Sequence, residues 1–237
     1  MKAVRLNFMQ MLRQMKHDPM LLAITFTPIL IGILLRFGIP FAETQLTNYM
    51  EMECVISPYY ELLDLLLILF TTTMFNLVAV MVVLEEADEH LISYLSVTPL
   101  GKTGYLFSRF GLTGIISLVI SILVFAMFHL TNINVIMLLG VVVTSAVQGI
   151  GTAMLIVTFS ANKVEGMAIG KFTSLFTLGA LVPFFKNGRV QYVFSVLPSF
   201  WLSKAVKQSS ASFLLIAILI VAVWIFLLAK RFTEKLF

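Results

Sequence analysis

The amino-acid sequence predicts an all-α integral membrane protein: six transmembrane helices, an N-terminal interfacial helix, and a short helix between spans two and three. Three observations predict this. Of 237 residues, 59% are apolar and 12% charged, where soluble domains run to roughly 45–50% and about 25%. The mean hydropathy is +1.00. The apolar residues also gather into six blocks, each close to the ~20 residues that cross a bilayer core. Such a composition excludes a typical cytosolic enzyme, a disordered tail and a secreted mini-protein. It leaves no room for a separate soluble domain, so residues 1–237 read as one transmembrane domain. The single Cys54 excludes an internal disulfide and a cysteine-based zinc or iron–sulfur site. A net charge of +4 reads as loop asymmetry, not as a nucleic-acid surface.

Residues 1–19 form the interfacial element. Val4, Phe8, Met11, Leu12 and Met15 recur at helical spacing, with Arg5, Arg13, Gln14 and Lys16 between them. That pattern lies flat on a membrane surface. Asp18-Pro19 stops it, because proline disfavours a helical residue before itself. The spans follow at 20–39, 65–84, 110–130, 135–159, 167–185 and 211–228. Pro28 and Gly32 predict a kink in the first. A signal peptide is the competing reading of that block, but no small-x-small cleavage site follows it. The stretch before span two is polar, with Glu43, Glu51 and Glu53, and Thr131–Asn134 is a short turn between spans three and four. With the N-terminus inside, 11 of the 16 basic residues fall on the cytoplasmic side. Both termini are therefore expected inside. Lys186, Arg189, Lys204 and Lys207 fall outside, which makes sense if 186–210 dips back into the interface and its cations snorkel to water.

The most unusual stretch is Glu85–Gly101. Glu85, Glu86, Asp88 and Glu89 put four carboxylates in five positions directly after a span. Leu91, Tyr94 and Leu95 give the following helix one apolar side, and Pro99 and Gly101 end it. Cytoplasmic loops usually carry basic excess, so an acidic knob with an apolar side suits a soluble partner with a basic groove.

Glu86-x-Asp88 followed by Leu95-x-Val97-Thr98-Pro99-Leu100 resembles the cytoplasmic loop of type-two ABC transporter permeases. There a Glu-x-Glu pair precedes a short coupling helix that ends in Thr-Pro. His17-Asp18-Pro19 is similar to the end of that family's surface connecting helix, and Pro198-x-x-Trp201 to the segment before its last span. The chain departs from the pattern at Asp88, where relatives have a second glutamate, at His90-Leu91, where many have Gly-Thr, and at Ser93, where many have an acid. The resemblance implies the membrane subunit of an ABC exporter in a bacterial plasma membrane, paired with a second permease copy or a paralogue. It implies a separate ATPase subunit carrying ATP and magnesium, and a drug, antibiotic, peptide or lipid-like cargo moved outward. It assigns ATPase docking to Glu85, Glu86, Asp88, Glu89, Leu91, Leu95, Thr98 and Pro99. It assigns the connecting helix to Arg5, Phe8, Leu12, Arg13, Lys16, Asp18 and Pro19.

Chemistry within the chain itself is not expected. The nearest string to a phosphate loop, Gly166-x-x-x-Gly170-Lys171-Phe172, is one residue short and has phenylalanine in place of the hydroxyl. Neither Gly-x-Ser-x-Gly nor His-Glu-x-x-His occurs. Glu86 and His90 lie one helical turn apart, too few ligands for a metal site. Glu61 and Asp64 share a helix face, and charge at a helix centre costs roughly 2.5–3.5 kcal/mol, so both are expected at the outer surface. A proton-coupled secondary transporter using these two acids is the rival function. Asn76 and Gln148 are the polar residues within spans, suited to interhelical hydrogen bonds or to a cargo path. Ser145, Gly149 and Ala153 form a small-residue stripe that allows close helix approach.

Overall fold

The computed structural model describes residues 2–50, 54–186 and 188–236, so Glu51 and Glu53 lie outside the described residues. Among these residues the secondary structure is helical, with no strand. Six helical runs are long and apolar enough to cross a membrane: Pro19–Tyr49, Ser57–Asp88, Gly101–Phe128, Val135–Phe159, Lys163–Phe185 and Ser212–Leu236.

The chain opens with α1 (Lys2–His17), and α2 spans Pro19–Ile33. Asp18-Pro19 ends one helix and starts the next. The Asp18 carboxylate accepts the Met20 N–H at 2.8 Å and the Leu21 N–H at 3.4 Å. Pro19 stands where a helix has no use for an N–H. Past α2 a π-helical turn, Leu34–Gly38, leads into α3 (Ile39–Met50). The helix thus continues past residue 39, where the sequence reading ended it. The widened turn sits just before Pro40, whose missing N–H interrupts the regular ladder.

At the centre stands α4 (Tyr60–Asp88), packed against α2 and every later span it meets. It is longer at both ends than the apolar block 65–84; in its last turns Glu85, Glu86 and Asp88 find partners on other elements (below) and so need not leave the helix for water. After a sharp turn come α5 (Leu91–Val97) and α6 (Gly101–Leu106). A second π-helical turn, Phe107–Gly111, joins α6 to α7 (Leu112–Phe128). Next are α8 (Val135–Phe159) and α9 (Lys163–Ser174). A 3₁₀ stretch, Leu175–Leu181, joins α9 to α10 (Val182–Phe185).

Between the fifth and sixth runs, α11 (Pro198–Lys207) inserts among α4, α8, α10 and α12 (Ser212–Leu236). The Ser199 and Ser203 hydroxyls donate to the Phe176 and Ala180 carbonyls of the 3₁₀ stretch. Lys186, Arg189 and Lys207 are exposed, but Lys204 is not. Its ammonium donates to the Tyr192 hydroxyl at 2.6 Å and sits 4.4 Å from that ring and 5.1 Å from the Phe213 ring. Aromatic faces take the place of water around this cation.

Of the three apolar clusters among the described residues, two are large. One gathers Val78–Leu84 with Met11, Tyr105, Phe110 and Val157. The other gathers Leu62, Leu65 and Leu69 with Val141, Leu202 and Leu214. Between them α4 and α8 contribute a polar layer: Thr71, Thr72 and Asn76 from one, Thr144, Ser145 and Gln148 from the other, all buried. The threonine hydroxyls bond back to carbonyls one turn earlier. Gly149 lets the two helices meet here. A methyl group at this position would overlap the Asn76 amide and press on the Thr72 carbonyl. We expect Gly149→Val to cost about 1–3 kcal/mol through overpacking, read as a lower thermal midpoint of the detergent-purified protein.

Candidate coupling site

One end of the bundle gathers α1, α5, α6, the start of α9 and the last turn of α12. Its core is a buried ion pair between Glu86 of α4 and Arg109 of the second π-helical turn, 1% and 0% exposed. One Glu86 oxygen accepts the Tyr105 hydroxyl at 2.7 Å and Arg109 Nε at 3.0 Å. The other accepts Arg109 Nη2. The guanidinium then reaches α1, donating to the Asn7 backbone oxygen at 2.9 Å and its side-chain oxygen at 3.0 Å. Asn7 Nδ2 donates to the Ser108 hydroxyl at 2.6 Å, which donates to the Tyr105 carbonyl at 2.8 Å. Each charge is thus paired and hydrogen-bonded, the condition under which burial is tolerated. The π-helical turn brings Tyr105, Ser108 and Arg109 onto the face that meets α4 and α1.

A second tie is built on Lys163 at the start of α9. Its ammonium is 3.0 Å from both the Asp18 and the Glu85 carboxylates, and its backbone N–H donates to Asp88 at 2.9 Å. Burial pushes the Asp18 carboxyl up, but the Lys163 ammonium and the Met20 and Leu21 N–H groups outweigh it and hold the group below its ordinary range. The Lys235 ammonium of α12 donates to the Ser160 carbonyl at the end of α8. Together these contacts tie the ends of α1, α2, α4, α8, α9 and α12.

Above the ties sits α5. His90 turns the chain in the left-handed region at φ 57°, and Gly101 does so again at φ 64°. Between them Ile92 is buried and Leu91 and Leu95 are half-buried. Tyr94 and Val97 are 69% and 84% exposed, and Thr98 and Pro99 are exposed beside them. The Thr98 hydroxyl donates to the Leu95 carbonyl at 2.7 Å and closes the helix. The left-handed turn explains why glycine suits position 90: a side chain is strained there.

The four acids of the loop therefore divide. Glu86 is buried on Arg109, half-buried Glu85 pairs with the Lys163 ammonium, and Asp88, though exposed, accepts the Lys163 backbone N–H. Glu89 is exposed and has no hydrogen bond or ion pair among the described residues. On α1, Arg5, Leu12, Arg13 and Lys16 are exposed and Phe8 is half-buried, while Asn7 and Met11, one turn apart, face the bundle. Sequence reasoning missed Asn7, Tyr105, Arg109 and Lys163. Only Arg109 carried a signal, as a cation next to an apolar run, where a partner is needed.

At the opposite end Asp64 is fully buried. It accepts the Leu130 and Thr131 N–H groups at 2.9 and 2.8 Å and the Thr131 hydroxyl at 2.6 Å, which fixes the turn between α7 and α8. Glu61, three residues earlier, stays exposed. The two acids differ in surroundings as well as burial: one is a structural cap, the other is open. Asn76 and Gln148 are closed inside the bundle at 1% and 2% exposure. The Asn76 amide donates to the Thr72 carbonyl at 2.8 Å, but its oxygen and both polar atoms of Gln148 have no partner among the described residues.

A family profile described as "Fluoroquinolones export permease protein Rv2686c-like" matches residues 11–230. No curated protein and no solved structure matches the chain.

Two outcomes follow from the geometry. Arg109→Met leaves Glu86 buried without its cation and should cost about 3–5 kcal/mol, while adding Glu86→Gln should recover most of the loss. Thermal unfolding of the two singles and the double variant measures this. His90→Gly should stabilise the protein by about 0.5–1 kcal/mol, because glycine adopts the left-handed turn without strain.

Proposed function

The chain belongs to the Rv2686c-like fluoroquinolones export permease family, a family of ABC-2 type permeases, and from that premise we propose that it is the membrane subunit of an ATP-driven exporter. Its cargo is a drug or antibiotic moved outward. ATP and magnesium bind a separate ATPase subunit, and a second permease copy or a paralogue completes the pore. The chain is a multi-pass membrane protein and a transport subunit. The end bearing α1 and α5 faces the cytoplasm in this reading, in keeping with the basic residues of α1 and the last turn of α12.

The observation that carries the reading is the pairing of an apolar tip with a charged, rigid base. Tyr94 and Val97 are large apolar side chains turned out of a polar end of the molecule. They suit the desolvated centre of a protein interface, with Glu89, Thr98 and Pro99 as its rim. Below them Glu86 and Arg109 join α4, α1 and the third span. A push on α5 by a closing ATPase pair therefore moves the second span, the third span and the surface helix as one body. The docking role passes from the whole acidic run to Glu89 and the apolar tip, since Glu85, Glu86 and Asp88 already hold internal partners. The proton-coupled alternative finds no paired carboxylates: Asp64 is occupied as a cap.

The test is co-purification with the ATPase subunit. Tyr94→Ala combined with Val97→Asp should release it by more than tenfold, as removal of a central interface residue does when it costs about 2 kcal/mol. The thermal midpoint of the permease should stay nearly unchanged. Charge reversal at Glu86 is not an equivalent probe, because it breaks the buried pair. Retention of the ATPase by the double variant, or transport that survives ATP depletion at a constant proton gradient, would reject the reading.

A further inference from the structure

The end of the molecule away from the coupling site holds a cavity of about 320 Å³. It lies between the first turn of α4, the turn before α8, the end of α11 and the start of α12. Its polar lining is Glu61, Asn132, Asn134 and Ser209; Met137, Val206 and Leu214 supply much of the apolar wall. That volume is at the lower end of the about 300–1,000 Å³ of drug-sized sites, whose walls combine apolar side chains with a few polar groups.

Glu61 sets the chemistry. Its carboxylate has no hydrogen bond or ion pair among the described residues, although other acids at this end are fully used. Glu43 accepts the Val55 and Ile56 N–H groups and the Ser57 hydroxyl. Asp64 accepts Leu130 and Thr131. Of the cations of this end, Arg36 donates to the His129 carbonyl, Lys204 to Tyr192 and Lys207 to the Pro183 carbonyl, while Lys186 and Arg189 are exposed and do not line the cavity. No cation is among the residues that line the hollow, so it presents the Glu61 carboxylate beside amide and hydroxyl oxygens, over an apolar floor. Asn134 spends its side-chain oxygen on the Ile136 N–H, which leaves Asn132 and Ser209 as the further acceptors.

We propose that this cavity binds an amphipathic organic cation, its protonated amine on Glu61 and its apolar body against Met137, Val206 and Leu214. An ammonium suits the site because it donates to the carboxylate and to the Asn132 and Ser209 oxygens at once. The assignment of this amine as cargo at the outward exit rests on the export reading; the binding chemistry does not.

The test uses the full chain in maltoside micelles, without ATP or the ATPase subunit, and two probes of matched shape: the naphthylmethylammonium cation and neutral naphthylmethanol. Glu61→Gln should weaken the cation roughly fivefold, the worth of one partly exposed charge pair, and leave the alcohol unchanged. Ile136→Trp, at an exposed lining position, should weaken both by filling the cavity. Added phosphatidylethanolamine displaces the cation if a lipid headgroup is the natural amine and leaves it in place if a soluble amine is. Both results keep the amine site and differ only in its source. Equal cation binding by Glu61→Gln and the unaltered protein overturns the proposal, and so does cation binding that Ile136→Trp leaves untouched. Because the assay contains no motor, its failure leaves the export reading intact, and loss of ATP-driven transport with binding preserved counts against export alone.

Discussion

A carboxylate and a guanidinium placed inside an apolar bundle must find each other or the fold fails. Breaking such a pair costs about 3–5 kcal/mol, while ordinary surface pairs contribute less than about 1 kcal/mol. Glu86 and Arg109 meet that demand, and much of the surrounding structure follows from it. To bring Glu86 to Arg109, α4 continues past its apolar block as a helix. For Arg109 to point at both Glu86 and Asn7, the third span carries a widened turn at Phe107–Gly111. Because the guanidinium has donors to spare after Glu86, it latches α1 through two Asn7 oxygens. The base of α5 rests on this pair, and its tip, Tyr94 and Val97, stays exposed.

The fold class was readable because six apolar blocks leave few alternatives, and the described residues include six helices long and apolar enough to span. The ends of those helices were less readable. Hydropathy marks where apolar residues stop, whereas a helix stops where its backbone or its charges demand it. Glu85, Glu86 and Asp88 looked like a solvated knob because their partners, Lys163 and Arg109, lie 75 or more and 23 positions away along the chain. Nothing in local spacing reports such long-range pairs. Asp18-Pro19 was readable as a break, since its chemistry is local; that it also caps α2 follows from the same residues. Lys204 ran against expectation for a related reason: aromatic rings brought together by the fold replaced the water that a snorkelling lysine seeks.

The polar layer between the two apolar clusters is a different kind of constraint. Asn76 and Gln148 are buried with amide atoms unsatisfied, which costs about 1–3 kcal/mol for each group. The apolar clusters lie on either side, and α4 and α8 meet between them through Gly149. Glycine lets those helices approach closely. This polar layer lies between the end bearing α5 and the end that holds the open cavity.

The two ends dispose of charge in opposite ways, and this difference gives the molecule a direction. At the end bearing α5, Glu85, Glu86 and Asp88 are bound to cations or N–H groups of other helices, so a force applied there is shared among several spans. At the far end Asp64 and Glu43 are likewise bound, but Glu61 is left open beside a hollow. A helix that joins the two ends carries both kinds of residue: α4 begins with Glu61 and Asp64 and finishes with Glu85, Glu86 and Asp88. Any axial or rotational displacement imposed on its last turns moves its first turn as well, because a continuous helix of 29 residues has no internal break to absorb the motion. Movement at the charged base therefore reaches the wall of the cavity through a single backbone element.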